Sequence, residues 1–366
     1  MRPIEPVTIR ANGRDYTGWK DGVTVTASIE SAARTFDFVS TERYPEIHPW
    51  QLRPDDAVEI LFGSDVVCTG YVDRIQLDDS TTAISGRSKT ADLVDCSAAL
   101  GNIRGLTLGA LANKLAKPYG VTVEEAGITT KIVSRHRTQP GQTVYQAIER
   151  YARQQALLLT DNARGDLVLT RAGSLRATTA IERPGNVLPG SSVSFDGSGR
   201  FSLYECRGQQ AGDDDTNGED VSTRGSASDD GPTRYRYLML TDKVRGGAAG
   251  RKDRAVWEAA TRAGRSVEAV YTLVGWRQEI GDLWAPNQIV TVTDKARGFE
   301  NQDLLIVSVT YNLNRDSGTT SELTLRPIAG YELLEPRKAS AGKGSASGRW
   351  KELDTVKIPP RKGAAQ

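Results

Sequence analysis

The sequence predicts an α+β chain that is predominantly β, with two similar small β-barrel domains and a small α+β domain between them. Three observations carry this. Short runs that alternate apolar and polar residues, separated by turn residues, fill both ends of the chain. Two helix-period segments and a hairpin interrupt them near the middle. Two distant strand-rich stretches echo one another. The chain has 366 residues, 38% of them hydrophobic, with 36 glycines. That length suggests two or three domains, and the glycine content suits many turns.

In the first part, "VTIRANGRDYTGW" alternates Val7, Ile9 and Ala11 with polar neighbours and turns at Asn12-Gly13, a strong hairpin signal. "VTVTASIES" keeps the same period, and "TFDFVSTER" sets Phe36 and Phe38 on one face. "AVEILFGSDVVCTGYVDRIQL" is strand, tight turn at Gly63-Ser64, strand. The polar run "AISGRSKTADLVDCSAA" follows, residues 83–99. Ile84 is expected to end a strand, Gly86 to permit a sharp exit, and Thr90 to cap a short turn burying Leu93 and Val94. Arg87 and Lys89 would meet Asp92 or Asp95, making the run a hinge and inter-domain clasp, with Arg87 also placed to face a neighbouring subunit.

Two helices come next. "TLGALANKLAK" spaces Leu108, Leu111, Ala112 and Leu115 helically between a Thr107 cap and Pro118. "TVYQAIERYARQQ" repeats Val144, Ile148 and Ala152 every fourth residue. "ALLLTDNARGDLVLTR" then turns at Asn162 to Gly165. Beyond it, "RFSLYECRG" and "RYRYLMLTD" read as strands around an acidic loop, and "RKDRAVWEAATRAG" as a helix ending at Gly264. "SVEAVYTLVGW", "NQIVTVTD", "LLIVSVTYNLN" and "SELTLRP" read as strands. The expected division is a first barrel over 1–98, an α+β domain over 99–175, and a second barrel over 176–335. The second barrel carries the inserted helix and a flexible acidic loop, 210–232. A basic disordered tail, 336–366, closes the chain. The echo pairs residues 55–87 with 287–326: Val58 and Ile60 match Ile289 and Val290 loosely, and Val72 and Ile75 match Val307 and Val309 in pattern. "DDSTTAISGR" and "DSGTTSELTLR" are its closest phrases.

Charge is uneven. Residues 210–231 hold seven acids against Arg224, residues 337–366 hold eight bases against Glu352 and Asp354, and the whole chain is +1. No run of ~18 apolar residues exists to span a membrane. "MRPIEPVTIR" lacks an apolar signal segment, which argues against export by that route. Cys68, Cys96 and Cys206 are scattered, as in a protein made in a reducing compartment. With only His48 and His136, neither HExxH nor paired-Cys zinc spacing occurs.

No catalytic, cofactor or metal residues are therefore assigned. Ser85, Lys89 and Asp92 lack an oxyanion motif such as GxSxG. In "GGAAGRKD", 246–253, Lys252 precedes Asp253 instead of Ser or Thr, so a loop leading into a helix is the better reading than a phosphate cradle. Glu124-Glu125, Glu149 and the Asp213 cluster could supply a glycosidase pair, but adjacent Glu124 and Glu125 would point apart on a strand. Of Trp19, Trp50, Trp257, Trp276, Trp284 and Trp350, Trp257, Trp276 and Trp284 are expected in the core or at interfaces.

The order of these phrases resembles a known family. "GYVDRI" before "ISGRSKTADLVDCSA", then "LGALANKLAKPYGV" and "PGQTVYQAIERYARQQALLLTDNARGDLVLTR", then "GRFSLYECRGQ", the helix through Trp257, "VGWRQEIGDLWAPNQIVTV" and "LLIVSVTYNLNRDSGTTSELTLRP" together resemble the baseplate hub proteins of Mu-like contractile-tailed phages. The resemblance covers roughly residues 5–335. It implies a homotrimeric ring that adapts a sixfold tail tube to a threefold central spike, with an axial passage for DNA that is not bound sequence-specifically. Tube or tube-initiator, spike and baseplate wedge proteins would be its partners, and the virion its location after assembly in the host cytoplasm. Arg87, Lys89, Asp92, Asp95, Trp257, Trp276 and Trp284 are the interface candidates, between subunits or between domains. No cofactor and no catalytic residue is implied. The rival readings are a tail-tip cell-wall hydrolase and a DNA-binding module acting through the basic tail.

Overall fold

A computed structural model describes residues 5–17, 19, 22–40, 52–78, 81–209, 222–241 and 247–332. His48, Trp50, most of the acidic stretch, the basic tail and Trp350 lie outside them. The first part holds β1 (Val7–Ala11), β2 (Arg14–Tyr16), β3 (Val23–Ser28), β4 (Thr35–Ser40), β5 (Ala57–Phe62), β6 (Asp65–Leu77) and β7 (Thr82–Ser88). The middle holds α1 (Ala91–Asp95), β8 (Asn102–Thr107), α2 (Leu108–Ala116), β9 (Val123–Glu125), β10 (Ile132–Arg137), α3 (Val144–Gln154), β11 (Leu158–Asp161) and β12 (Leu167–Thr170). The last part holds β13 (Leu175–Arg176), β14 (Ile181–Arg183), β15 (Ser192–Phe195), β16 (Leu203–Gln209), β17 (Ser222–Ser228), β18 (Tyr237–Thr241), α4 (Gly247–Arg265), β19 (Val267–Val274), β20 (Gln288–Asp294), β21 (Phe299–Asn314) and β22 (Gly318–Arg326).

The chain is predominantly β. Pairing joins the first and last parts in one fourteen-stranded sheet, β15-β19-β22-β21-β3-β4-β7-β6-β5-β1-β2, with β13, β14 and β20 branching from β21. Among the described residues no ladder closes either part on itself into a separate barrel. The seam is β3 against β21, antiparallel, from Ser28↔Ser308 to Val23↔Leu313. The strands alternate as their sequences require: Val23, Val25 and Ala27 are buried while the threonines between them are half-exposed. Inward residues of both parts share one core, from Val7, Phe36 and Ile60 to Tyr271, Val290 and Leu325.

The two parts repeat one topology. Order β3-β4-β7-β6-β5-β1 in the first corresponds to β15-β19-β22-β21-β20-β14 in the last. The correspondence reaches individual residues because the bulges coincide. The β6–β7 ladder skips between Val72 and Arg74, and the β21–β22 ladder between Ile306 and Ser308. Aligning those bulges puts the second pair in register too: β5–β6 shifts after Ile60, β20–β21 after Val292. Val58 then matches Val290, Ile60 matches Val292, Val72 matches Ile306 and Ile75 matches Val309. The looser sequence pairing was thus one or two residues out at three of these four positions, because a ladder and not a residue count sets the equivalence. One difference remains: β1 runs antiparallel to β5, whereas β14 runs parallel to β20.

The middle unit packs α2 and α3 around Leu108, Leu111, Ala112, Val144, Ile148 and Leu167. Thr107 caps α2 through Ala110 N–H, and Thr143 with Gln146 forms a capping box on α3. Between β15 and β19 the chain inserts β16–β18 and α4, which share their own small core around Tyr204, Cys206, Ala255 and Ala259.

Several local expectations change. Ile84 and Gly86 lie within β7, not at its end, because β4 and β6 pair with it on both sides. Gly86 is needed for space: a Cβ there would sit 2.1 Å from Tyr71 O and 2.3 Å from the Phe36 ring. Thr90 does not cap α1; its hydroxyl lies 2.7 Å from Ser88 Oγ. Leu93 is buried but Val94 is exposed, since one short turn presents only one face to the core. Residues 222–228, expected within the acidic loop, form β17, paired to β16. Residues 247–250, expected in a loop, already belong to α4.

Close backbone approach makes a first prediction. A Cβ on Gly70 would lie 1.9 Å from Arg87 O and 2.6 Å from Ser88 Cα. Gly70→Ala should destabilise the fold by about 1–3 kcal/mol, since the β6–β7 ladder must spread. The shift of the denaturant midpoint measures it.

Candidate functional site

The informative sites in this fold are the joints that set one unit against another. The run 83–99 lies at such a joint. Arg87 bridges Asp73 and Asp95, at 2.7 Å each, all three partly exposed. Asp95 was among the expected partners. Asp73 was not: it is the bulged residue of β6, and the bulge turns it toward Arg87. Asp92 is half-buried; burial pushes its carboxyl up and Arg87 opposes that. Lys89 donates its backbone N–H to Thr69 O and lays its stem beside Gly165 in the β11–β12 turn.

The buried part of this joint is one that sequence reading missed. Asp161, at the end of β11, has a side chain only 1% exposed. It accepts from Arg34 N–H at 2.9 Å, Arg34 Nε at 3.2 Å and Ser88 Oγ at 2.6 Å. Burial pushes this carboxyl up, against the pull of the Arg34 charge and the Ser88 hydroxyl. Arg34 also donates to Val67 O at 3.0 Å. The β3–β4 turn, the end of β7 and the middle unit are thereby fastened at one carboxylate. Nothing in the spacing of Arg34, Ser88 and Asp161 announces this.

A second joint ties the first and last parts. Phe62 stacks on Trp276 with centroids 3.9 Å apart and meets Tyr311 edge-on at 5.5 Å. Trp276 Nε1 donates to Asn312 O at 3.1 Å, and Tyr311 donates its hydroxyl to Trp284 O. Arg277 pairs with Glu5 and, at 2.7 Å, with Asp65. Trp276 and Trp284 are each 2% exposed, so neither is available to another subunit. Trp19 packs edge-on against Phe38 at 5.1 Å.

The third joint is three-way. Ile29, Leu305, Val307 and Tyr331 form a small core against Leu158 and Ala172. Arg326 pairs with Glu268 and, at 3.0 Å, with Glu30. Asn287 Nδ2 donates to Arg171 O at 2.9 Å, and Gly173 N–H to Asn287 Oδ1 at 2.8 Å. Beside it opens a cleft of about 790 Å³ between α3, β11 and α4. Trp257 lines it, half-buried, under Arg254 at 4.5 Å.

The acids considered for hydrolysis are engaged separately. Glu124 accepts from Asn162 Nδ2 at 3.1 Å, Glu125 from Thr130 N–H at 2.9 Å, and Glu149 pairs with Arg153; the Asp213 cluster lies outside the described residues. Among the described residues no group of three or more His, Cys, Asp or Glu side chains is placed to hold a metal ion. No described helix is long and apolar enough to cross a membrane.

His136 is fully buried in the middle unit, its ring nitrogens 3.3 Å from Tyr151 Oη and 3.1 Å from Thr138 Oγ1. Burial, and then the Arg150 charge, lower its pKa from 6.5. The unfolded chain therefore binds the proton more readily. Stability is full above 6.5 and declines as pH falls below it, through the lowered folded value. Urea titrations at stepped pH should show this decline, and His136→Gln should flatten it.

A duplicated strand order fastened through buried joints marks a structural assembly protein. The comparisons place it in the phage tail. The description "Baseplate hub protein gp44-like, second domain" matches residues 90–171. "Mu phage baseplate assembly protein GpP-like, N-terminal" matches 6–88, and the GpP "fourth domain" matches 247–334. The baseplate hub protein gp44 of Escherichia phage Mu is 34% identical over 345 residues, 89% of this chain and 88% of the relative. The chain belongs to this family of Mu-like baseplate hub proteins. The 43-kDa tail protein of prophage MuSo2 from Shewanella oneidensis shares its fold with a TM-score of 0.77 at 30% identity, over 89% of this chain and 99% of that one. A tail protein of Neisseria meningitidis MC58 superposes with a TM-score of 0.72 at 23% identity, over 89% and 98%. The protein is thus a structural component of the virion's tail baseplate.

Proposed function

We propose that the protein is the central hub of the baseplate: a homotrimeric ring that adapts the sixfold tail tube to the threefold spike and leaves an axial channel for DNA. The observation that carries this is the repeated strand order with its coincident bulges. Two equivalent sheet units per chain become six in a trimer, so a threefold ring offers near-sixfold geometry to a tube. Its work is mechanical: buried ring interfaces join spike, tube or tube-initiator and wedge proteins until ejection, with DNA passing without sequence-specific contact. Assembly takes place in the host cytoplasm. Within each subunit, Arg87, Lys89, Asp92 and Asp95 act as an inter-domain clasp, which the Arg87 bridge and the Lys89 contact at Gly165 support. A permanent ring should bury more than ~1,600 Å² per interface.

Sedimentation equilibrium of the pure chain tests the reading. A mass three times the 39.7-kDa protomer is expected at micromolar concentration; a stable monomer would count against a preformed hub.

A further inference from the structure

The middle unit carries a concentration of positive charge that its folding does not need. β8 and β10 form a two-stranded antiparallel ribbon in which Arg135 stands directly opposite Arg104. Like charges so placed weaken a ladder. Arg137, two residues on, projects to the same face. Arg135 and Arg137 reach a cleft of about 930 Å³ between the ribbon and the end of α3, and Arg150 enters it from the helix. Among the described residues no Asp or Glu lines this cleft. Nor does any of the four arginines form an ion pair there; Glu149, next to Arg150 in sequence, is held by Arg153.

The donors of this cluster are largely unspent. Arg135 gives Nε to Asn102 Oδ1 at 3.3 Å. Arg150 gives one Nη to Tyr151 Oη at 2.7 Å and lies over that ring at 4.6 Å, while its buried Nε has no hydrogen-bond partner. Guanidinium forks match the paired oxygens of carboxylates and phosphates. The ligand that answers such a cluster is therefore an anion.

The cleft also says what kind. It is far larger than one small oxyanion, so its occupant is a chain bearing several. Single-stranded nucleic acids are held by stacking bases on open aromatic faces. Among the described residues Tyr151 is the one aromatic ring lining the cleft, and it is not open. Arg150 covers its face, His136 meets it edge-on at 5.7 Å, and its hydroxyl donates to Arg135 O at 3.2 Å. The rim is apolar instead, with Pro140 and a Leu100 that is 73% exposed. We propose that this cleft docks an extended, carboxylate-rich segment of another protein, its acidic side chains paired to Arg135, Arg137 and Arg150 and an apolar one set on Leu100. Arg104 adds to the field that draws it in. The inference goes beyond the hub reading and does not depend on the ring, since the site lies within the middle unit and uses neither repeated unit.

The test uses the full chain with His48→Gln, which leaves His136 as its only histidine. His136 packs on Tyr151 and feels the Arg150 charge. Its ring proton resonances therefore report on the cleft, and binding elsewhere, at the basic residues 337–366, leaves them still. The probes are a short oligo-glutamate, an oligo-thymidylate of equal length and inorganic phosphate. Oligo-glutamate should shift the His136 resonances saturably at low salt, and the other two should require at least about tenfold higher concentration. Arg135→Gln with Arg137→Gln should weaken oligo-glutamate binding at least about tenfold. Its urea midpoint should nevertheless stay level or rise, because the repulsion between Arg104 and Arg135 is gone. A sharply lowered midpoint would mark the arginines as structural and overturn the proposal. An equal response to oligo-thymidylate or phosphate would overturn the protein-segment assignment in favour of a phosphate-bearing ligand. No saturable shift with any probe would remove the site altogether.

Discussion

Replacing Asp161 by alanine should cost about 3–5 kcal/mol, among the largest single losses in the molecule. The change leaves the Arg34 guanidinium, whose side chain is 12% exposed, with its charge unpaired at the base of the first joint. It also strips an acceptor from Ser88 Oγ and from Arg34 N–H. Because these groups come from β7 and the β3–β4 turn, the loss should fall on the docking of the middle unit and not only on β11. Hydrogen exchange should quicken in β11 and β12 before the large sheet opens. Asp161→Asn keeps the shape and one acceptor oxygen and should cost less. A double-mutant cycle of Arg34→Met with Asp161→Leu should recover part of the loss, because a buried ion pair replaced by apolar groups of similar size is often tolerated. Equal stability of Asp161→Ala and the parent in urea unfolding would show that the clasp does not hold the units together.

The second large effect is at Trp276. Trp276→Ala should cost about 3–5 kcal/mol, from lost burial and a cavity where the indole stacks on Phe62. The indole bridges the two halves of the repeat, so the damage should weaken the seam as well as the local core. Trp276→Phe keeps the stack but leaves Asn312 O without its donor, and should cost less than half as much. Calorimetry separates the outcomes: a single transition lowered in temperature for the alanine variant, or a split transition if the two halves uncouple.

These joints also show how far residue patterns carry. Alternation located most strands, because a half-buried strand must show its period in sequence. Caps at Thr107 and Thr143 and turns at Asn12-Gly13 and Asn162–Gly165 were equally legible, being local events of a few residues. Thr90, Val94 and Gly86 were misjudged because tertiary context overrode local signal: Ser88 captured the Thr90 hydroxyl, and β4 and β6 clamped Gly86 into a strand. Strand β17 was hidden because acidic residues on both sides of it, 213–220 and 229–230, make the whole stretch read as a loop. It exists because β16 pairs with it and α4 packs against it, close enough that a Cβ on Gly225 would lie 2.1 Å from Lys252 N.

Composition and periodicity alone settled the β-rich class, the helical middle and the hint of duplication, since each depends on residues close in the chain or on a repeated local pattern. The seam, the coincident bulges, the Asp161 clasp and the Phe62–Trp276 stack were decided only when the chain folded. Each joins residues far apart in sequence, and a contact of that kind is selected by the summed burial of the whole sheet, which no short stretch encodes.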